Sequence, residues 1–407
     1  MIQHAGLLAA GLVVGGLLIE IAARVLADPP PLQQELRSPP PVEPDPVLGW
    51  RRPPGRRFTL TRGKTTREIA INAEGFRDAE RGRDKPAGVA RVVVLGDSFT
   101  EALETDRERT FPRLLEQGLD AGGRVEVLTF GMRGYGTAQE YLTLRHRALA
   151  YRPDAVVLAF FVGNDVYDNG LAYSMRYRAR PGPFFTLDGP GGALTRADVS
   201  PEEAARALTA GQSRLRQALS RVSAVLWPRL HSYGLVMGRL QAVPIVGPAL
   251  QSAGLGAPVN PHDADVYARE ERPELTHAWR VTEALLVEMA RLTREQGALL
   301  LVAIIPHPVQ FPGYLEMYRS RIDRRLEVPD AERPSRRVRE ILSARDIAHV
   351  DLLPLFRAHL AGPAPRDLYL REDGHFTAEG HRLAAHAIRC ALVAHHFLST
   401  AASCPPS

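Results

Sequence analysis

Residues 94–100 read Val94-Leu95-Gly96-Asp97-Ser98-Phe99-Thr100, an apolar run that stops on a Gly-Asp-Ser tripeptide. A strand ending this way delivers its serine at the carboxyl edge of a sheet, where open α/β folds hold their ligands. Gly, Asp and Ser are equally the default residues of a turn, so the tripeptide alone leaves both readings open. Its surroundings are more informative. From residue 91 onward, short leucine-rich or β-branched runs alternate with helical stretches, at 92–95, 125–130, 155–161, 298–305 and, more weakly, 348–352. Continuous apolar runs separated by helices are what a parallel sheet covered on both faces requires. Five of them predict an α/β fold, a three-layer, flavodoxin-like doubly wound sheet with Ser98 at its ligand-binding edge.

The 136 residues from 162 to 297 are far more than one crossover helix needs. A helical insertion at about 170–275 is therefore expected. Ser200-Pro201-Glu202-Glu203 carries the capping-box pattern with Pro at the first helical position. Helices are predicted near 201–222, 225–241 and 274–296, the last returning to the sheet and the rest capping the edge that bears Ser98.

Upstream, residues 5–19 are uncharged and almost wholly apolar, and the run extends to 26 if Glu20 and Arg24 snorkel or pair. Residues 1–27 then read as a transmembrane anchor, or as a signal peptide cleaved after Val25-Leu26-Ala27; either destination is the cell envelope, with the body outside the cytoplasm. Residues 28–48 form a proline-rich linker suited to extended polyproline geometry. Residues 49–90 form an N-terminal β extension, with a hairpin expected around Arg62-Gly63-Lys64-Thr65. The main domain is placed at 91–398 and a tail at 399–407.

Composition sets broad limits. The 407 residues are 45% hydrophobic and 24% charged, which excludes wholesale disorder and a multi-span membrane protein. A net charge of +5 over this length is too thin to argue for a nucleic-acid partner. Lys64 and Lys85 are the only lysines, against 49 arginines, a skew that fits coding bias. Two cysteines, Cys390 and Cys404, make no Cys-x-x-Cys metal or redox pair; Cys390 falls on the apolar stripe of a terminal helix, as a buried thiol would, with a Cys390–Cys404 disulfide the alternative that export would permit.

A serine hydroxyl needs a base to become a nucleophile. Glu372-Asp373-Gly374-His375-Phe376-Thr377, just before the last helix, supplies a histidine with an acid two or three residues ahead, able to fix its tautomer. Two further blocks follow strands: Phe130-Gly131-Met132-Arg133-Gly134-Tyr135-Gly136 and Val162-Gly163-Asn164-Asp165. Together the four blocks resemble the SGNH (GDSL-type) hydrolase superfamily over residues 49–170 and 275–398. The membrane-associated, polysaccharide-modifying members, O-acetyl esterases and acetyltransferases, are the nearest in pattern.

The resemblance implies Ser98 as nucleophile, His375 as base and Asp373 as orienting acid, with Glu372 the alternative acid. It implies an oxyanion hole made by the Ser98 and Gly134 N–H groups and the Asn164 side chain, with Gly131 the fallback because Thr129 stands where the family often has Asn. It further implies an ester hydrolase acting on acyl, and specifically acetyl, esters of an envelope glycan or lipid. Acyl transfer with the same triad and a non-catalytic envelope scaffold are the alternatives. No metal or cofactor is expected. His307 reads as a loop residue near the pocket, and His381, His386, His395 and His396 as face and end residues of the terminal helix.

Overall fold

The computed structural model describes residues 2–27, 39–62, 65–119, 124–178, 181–188, 192–210, 212–241, 243, 246–255, 264–321, 326–371 and 373–397. Helix α1 spans Ile2–Leu26. Its last two turns lie against the insertion. Glu20 accepts the backbone N–H groups of His231 and Ser232 at 2.9 and 3.0 Å and the Ser232 hydroxyl at 2.7 Å, and it pairs with Arg24. Burial would raise the Glu20 carboxyl, but these donors outweigh it and hold it at about 2. The anchor reading is corrected here: among the described residues no helix is long and apolar enough to cross a membrane. Glu20 does pair with Arg24, but its carboxylate is also committed to the His231 and Ser232 donors of the insertion, so this end of the helix is held against protein and not against lipid. The uninterrupted run of residues 5–19 then rises only about 22 Å against a hydrocarbon core of about 30 Å.

Two antiparallel pairs open the body, β1 (Glu43–Asp45) with β2 (Gly49–Arg51) and β3 (Arg57–Arg62) with β4 (Thr65–Ala70), the latter being the hairpin expected from sequence. Five parallel strands follow: β5 (Ala90–Gly96), β6 (Val125–Gly131), β7 (Ala155–Phe161), β10 (Leu299–Ile305) and β11 (Ala348–Asp351). Between them the insertion adds a hairpin, β8 (Gly182–Leu187) with β9 (Leu194–Val199), that the sequence reading missed. The sheet order β11-β10-β7-β5-β6 is the doubly wound one. Its switch point falls at β5, whose neighbours on the two sides are β6 and β7.

The helices in chain order are α2 (Ser98–Glu101), α3 (Phe111–Leu119), α4 (Thr137–His146), α5 (Asp165–Asn169), α6 (Pro201–Thr209), α7 (Arg214–Arg229), α8 (His231–Gln241), α9 (Val246–Ala253), α10 (Pro273–Glu295), α11 (Pro312–Arg321), α12 (Arg333–Ala344), α13 (Leu352–Leu360) and α14 (Ala378–Ala394). Alternation along the strands divides the core. Val93, Leu95, Val156, Leu158, Val302 and Ile304 meet α4, α10 and α12 through Leu142, Leu285 and Val338. Val92, Val94, Val157, Ala159, Ala303 and Ile305 meet α3, α13 and α14 through Leu115, Phe356 and Ile388. Each fully buried aliphatic side chain contributes about 1.5–3 kcal/mol, so neither face of the sheet can be left open.

Within the insertion, Ser200 and Glu203 form the predicted reciprocal cap, at 3.2 and 2.8 Å. The helix expected at 201–222 is broken because Ser213 starts a new one by accepting the Arg216 N–H at 3.2 Å. The expected break after 222 is absent, and α7 continues to Arg229. At the far end, Cys390 is half-buried and disulfide-bonded, which is the alternative to the buried free thiol. Cys404 lies outside the described residues.

Candidate active site

Strand β5 ends on Gly96, and the next residue, Asp97, accepts the Phe99 N–H at 2.9 Å and so turns the chain into α2. Burial pushes the Asp97 carboxyl up to about 7. Ser98 comes next, the first residue of the helix. Gly131, at the end of β6, has no side chain because a Cβ there would lie 2.5 Å from the Glu101 nitrogen, so α2 can sit directly on the strand. The Ser98 Oγ is 2.8 Å from Nε2 of His375, 277 positions away.

His375 belongs to a loop closed by the Leu370 N–H to His375 carbonyl bond of 2.7 Å and followed by α14, which Thr377 caps through the Gly380 N–H. Its ring is held against Phe99, with centroids 5.2 Å apart. The buried Nδ1 faces two carboxylates, Asp373 Oδ1 at 3.5 Å and Glu104 Oε1 at 4.0 Å. Asp373 is fixed by accepting the His375 backbone N–H at 3.0 Å and by an ion pair with Arg62. Burial would raise its carboxyl, but the His375 hydrogen bond and charge, with Arg62, hold it at about 2. Glu372 lies outside the described residues.

Glu104, which the sequence did not single out, also faces the His375 ring. It is buried, pairs with Arg62 at 2.9 Å and is also bridged by Arg133. Burial opposes its charge, yet His375 and Arg133 keep the carboxyl below its ordinary value. Burial likewise disfavours a charged His375, but Glu104 first and Asp373 after it raise the imidazole above 6.5. Glu104, Asp373 and His375 are also the one group of metal-ligand spacing among the described residues. Arg62 and Arg133 already occupy the cationic positions on these carboxylates, which argues against a metal there.

The two other blocks flank the same edge. Gly134 takes φ +81° in the turn closed by the Tyr135 N–H to Met132 carbonyl bond of 3.0 Å, a left-handed conformation in which glycine is unstrained. Asn164 precedes α5, and its Nδ2 donates to the Tyr135 carbonyl at 3.1 Å and to Asp168 at 3.2 Å. The side chain thus ties the third-strand loop to the glycine turn. Trp50 pins that turn from outside by accepting the Tyr135 hydroxyl on its carbonyl at 2.6 Å.

The N-terminal extension braces this edge. Arg52 binds Glu101 in a fork, at 2.7 and 3.0 Å, and both side chains are buried. Glu101 also accepts the Arg133 N–H at 3.0 Å, while Arg77 donates to the carbonyls of Glu101, at the end of α2, and of Thr105 beyond it. Arg52→Ala is expected to cost about 3–5 kcal/mol of stability, since the buried Glu101 carboxylate would lose its counter-charge and keep only the Arg133 N–H; urea denaturation measures it.

Two other histidines take structural positions. Burial lowers His307 to about 4, and its Nδ1 accepts the Val309 N–H at 3.2 Å. His381, read from sequence as a face residue of the terminal helix, lies on its buried face, with its Nδ1 accepting the Phe111 N–H at 3.2 Å because α14 turns that face onto α3.

Ser98 and His375 therefore meet at the switch point of the doubly wound sheet, and the family of the chain makes it a carboxylic ester hydrolase. The chain belongs to the GDSL-like Lipase/Acylhydrolase family, whose model matches residues 94–383. Among solved structures it is similar to a GDSL-like lipase from Bacteroides thetaiotaomicron VPI-5482, at 14% identity over 75% of this chain and 88% of that one with a TM-score of 0.34. A lipase/acylhydrolase from Enterococcus faecalis has 13% identity, covers 75% and 97%, and scores 0.38. An acetyl xylan esterase has 14% identity, covers 74% and 99%, and scores 0.37. No curated protein matches the chain.

Proposed function

We propose that the protein hydrolyses acyl esters through an acyl-enzyme on Ser98, with the acetyl esters of an envelope glycan or lipid as the substrate class. The observation that carries this reading is the 2.8 Å contact between Ser98 Oγ and His375 Nε2. In the first half-reaction Oγ attacks the carbonyl carbon as its proton passes to Nε2. His375 then gives that proton to the departing alkoxide, and water repeats the sequence in reverse to free the acid. Asp373 orients the imidazole through Nδ1. Glu104 acts beside it as a positioning residue that favours the imidazolium.

The Ser98 and Gly134 N–H groups and the Asn164 amide are the donors assigned to the oxyanion. Asn164 reaches it by exchanging its bond to Asp168. Asn164→Ala is expected to lower kcat about 100- to 1,000-fold with KM little changed, as read in steady-state kinetics on an acetyl ester.

Placement outside the cytoplasm is part of the proposal, supported by the disulfide at Cys390, a bond that persists in oxidising compartments. Covalent labelling with a fluorophosphonate tests the chemistry. Wild-type protein should label at Ser98, and His375→Ala should label at least 100-fold more slowly; equal labelling of the two would overturn the assignment. Product analysis with an acetyl donor, with and without a glycan acceptor, separates hydrolysis from transfer.

A further inference from the structure

We infer that the helical insertion is a docking surface for an anionic lipid bilayer, which it lies on without crossing. The inference starts from α7. Arg214, Ala218, Arg221, Val222, Val225 and Arg229 recur at helical spacing along one stripe and are all exposed, while Ser223 and Trp227 on the opposite side are buried. Val222 is 52% and Val225 49% exposed, and Val236 on α8 is 53% exposed. Alternating cations and aliphatic side chains on an outward stripe make the pattern of an interfacial helix. The aliphatic groups enter the acyl boundary, and the arginine stems snorkel to the phosphates.

Charge identifies the occupant. From residue 204 to 262 there is no aspartate or glutamate, whereas Arg206, Arg214, Arg216, Arg221, Arg229 and Arg239 are all present and exposed. The small net charge of the whole chain averages this concentration away. A second copy of the same surface would set arginines against arginines, whereas anionic headgroups neutralise them.

Helix α1 extends the surface. It is joined to α8 through Glu20, His231 and Ser232, and its Val13, Leu17, Leu18 and Ile21 are more than half exposed. Water is a poor partner for so much contiguous apolar surface. The site at Ser98 plays no part in this argument, so its chemistry and the docking can fail independently.

The test uses the full chain with an environment-sensitive dye on Val225→Cys, or on Val236→Cys, and on Val287→Cys in α10 as control. With phosphatidylglycerol vesicles the dye at 225 and 236 should shift to the blue and be quenched by doxyl-labelled lipid, and the dye at 287 should not. Arg214→Gln, Arg221→Gln and Arg229→Gln together should weaken partitioning about 100-fold, each cation near an anionic surface being worth about a factor of five. Turnover of a small soluble ester should stay unchanged, which also reports that these variants fold. Equal partitioning onto phosphatidylcholine vesicles would overturn the inference. So would vesicle binding without quenching at 225 and 236, which would leave α1 alone as the contact. A blue shift that grows with protein concentration in the absence of lipid would overturn it in favour of a second copy.

Discussion

Ser98→Ala is expected to lower kcat on an acetyl ester by about 10⁵- to 10⁶-fold while KM changes little, because the substitution removes the attacking atom and leaves the binding surface in place. His375→Ala should fall by a similar amount. The double variant should be hardly worse than either single one, since the two groups act as one unit. A residual rate above the uncatalysed reaction is expected from the oxyanion donors alone. Stopped-flow or discontinuous assays over a long time base would measure it. An Ser98→Ala enzyme retaining more than about a hundredth of wild-type kcat would remove Ser98 from the mechanism.

The second large effect separates the two carboxylates at Nδ1. Asp373→Asn should reduce kcat about 10⁴-fold, because an amide can hold the ring in the tautomer that directs the proton at the serine. Glu372→Gln should leave the rate unchanged. Glu104→Gln should act differently, through the pH profile. His375 must be neutral to accept the serine proton, so kcat/KM rises with pH through the imidazole's pKa, which stands above 6.5 in the wild type. Removing the Glu104 charge takes away the largest influence raising it, so the acid limb should move to lower pH. The plateau rate should also drop, about 10- to 100-fold, as the developing imidazolium loses a countercharge about 4.0 Å from Nδ1. A lower plateau with an unmoved limb would mean that Glu104 serves only as a structural brace for Arg62 and Arg133.

The sheet was legible because its strands are buried on both faces, so 92–95, 125–130 and 155–161 stand out as apolar runs against polar helices. The meeting of Ser98 and His375 was legible because each stands where a strand or loop ends in turn-forming residues, whereas Gly134 and Asn164 were singled out only through the family resemblance. Glu104 was not. It lies in Leu103-Glu104-Thr105-Asp106, a sequence with no periodicity or spacing to single it out, and its meaning comes from Arg62, Arg133 and His375 meeting it in space. The abundance of arginine hid its partners equally well, since Arg52, Arg62 and Arg77 look no different from the other 46 in the chain. The hairpin β8–β9 escaped notice because Phe184 and Phe185 are its only large buried side chains. The terminal segment misled for the opposite reason. Glu20 and Arg24 read as membrane-edge charges until the N–H groups of His231 and Ser232 were seen to claim the carboxylate.

The bracing of α2 by the N-terminal strands bears on how the enzyme can be cut. A recombinant fragment trimmed to the family boundary at residue 94 would keep the nucleophile, base and acid, yet discard Arg52, Arg62 and Arg77. Glu101 at the end of α2 and Glu104 just beyond it would lose the Arg52 and Arg62 guanidiniums, and β5 its first four residues, so the truncated protein would misfold or turn over slowly for reasons unrelated to Ser98 and His375 themselves. Any useful minimal enzyme has to begin ahead of Trp50.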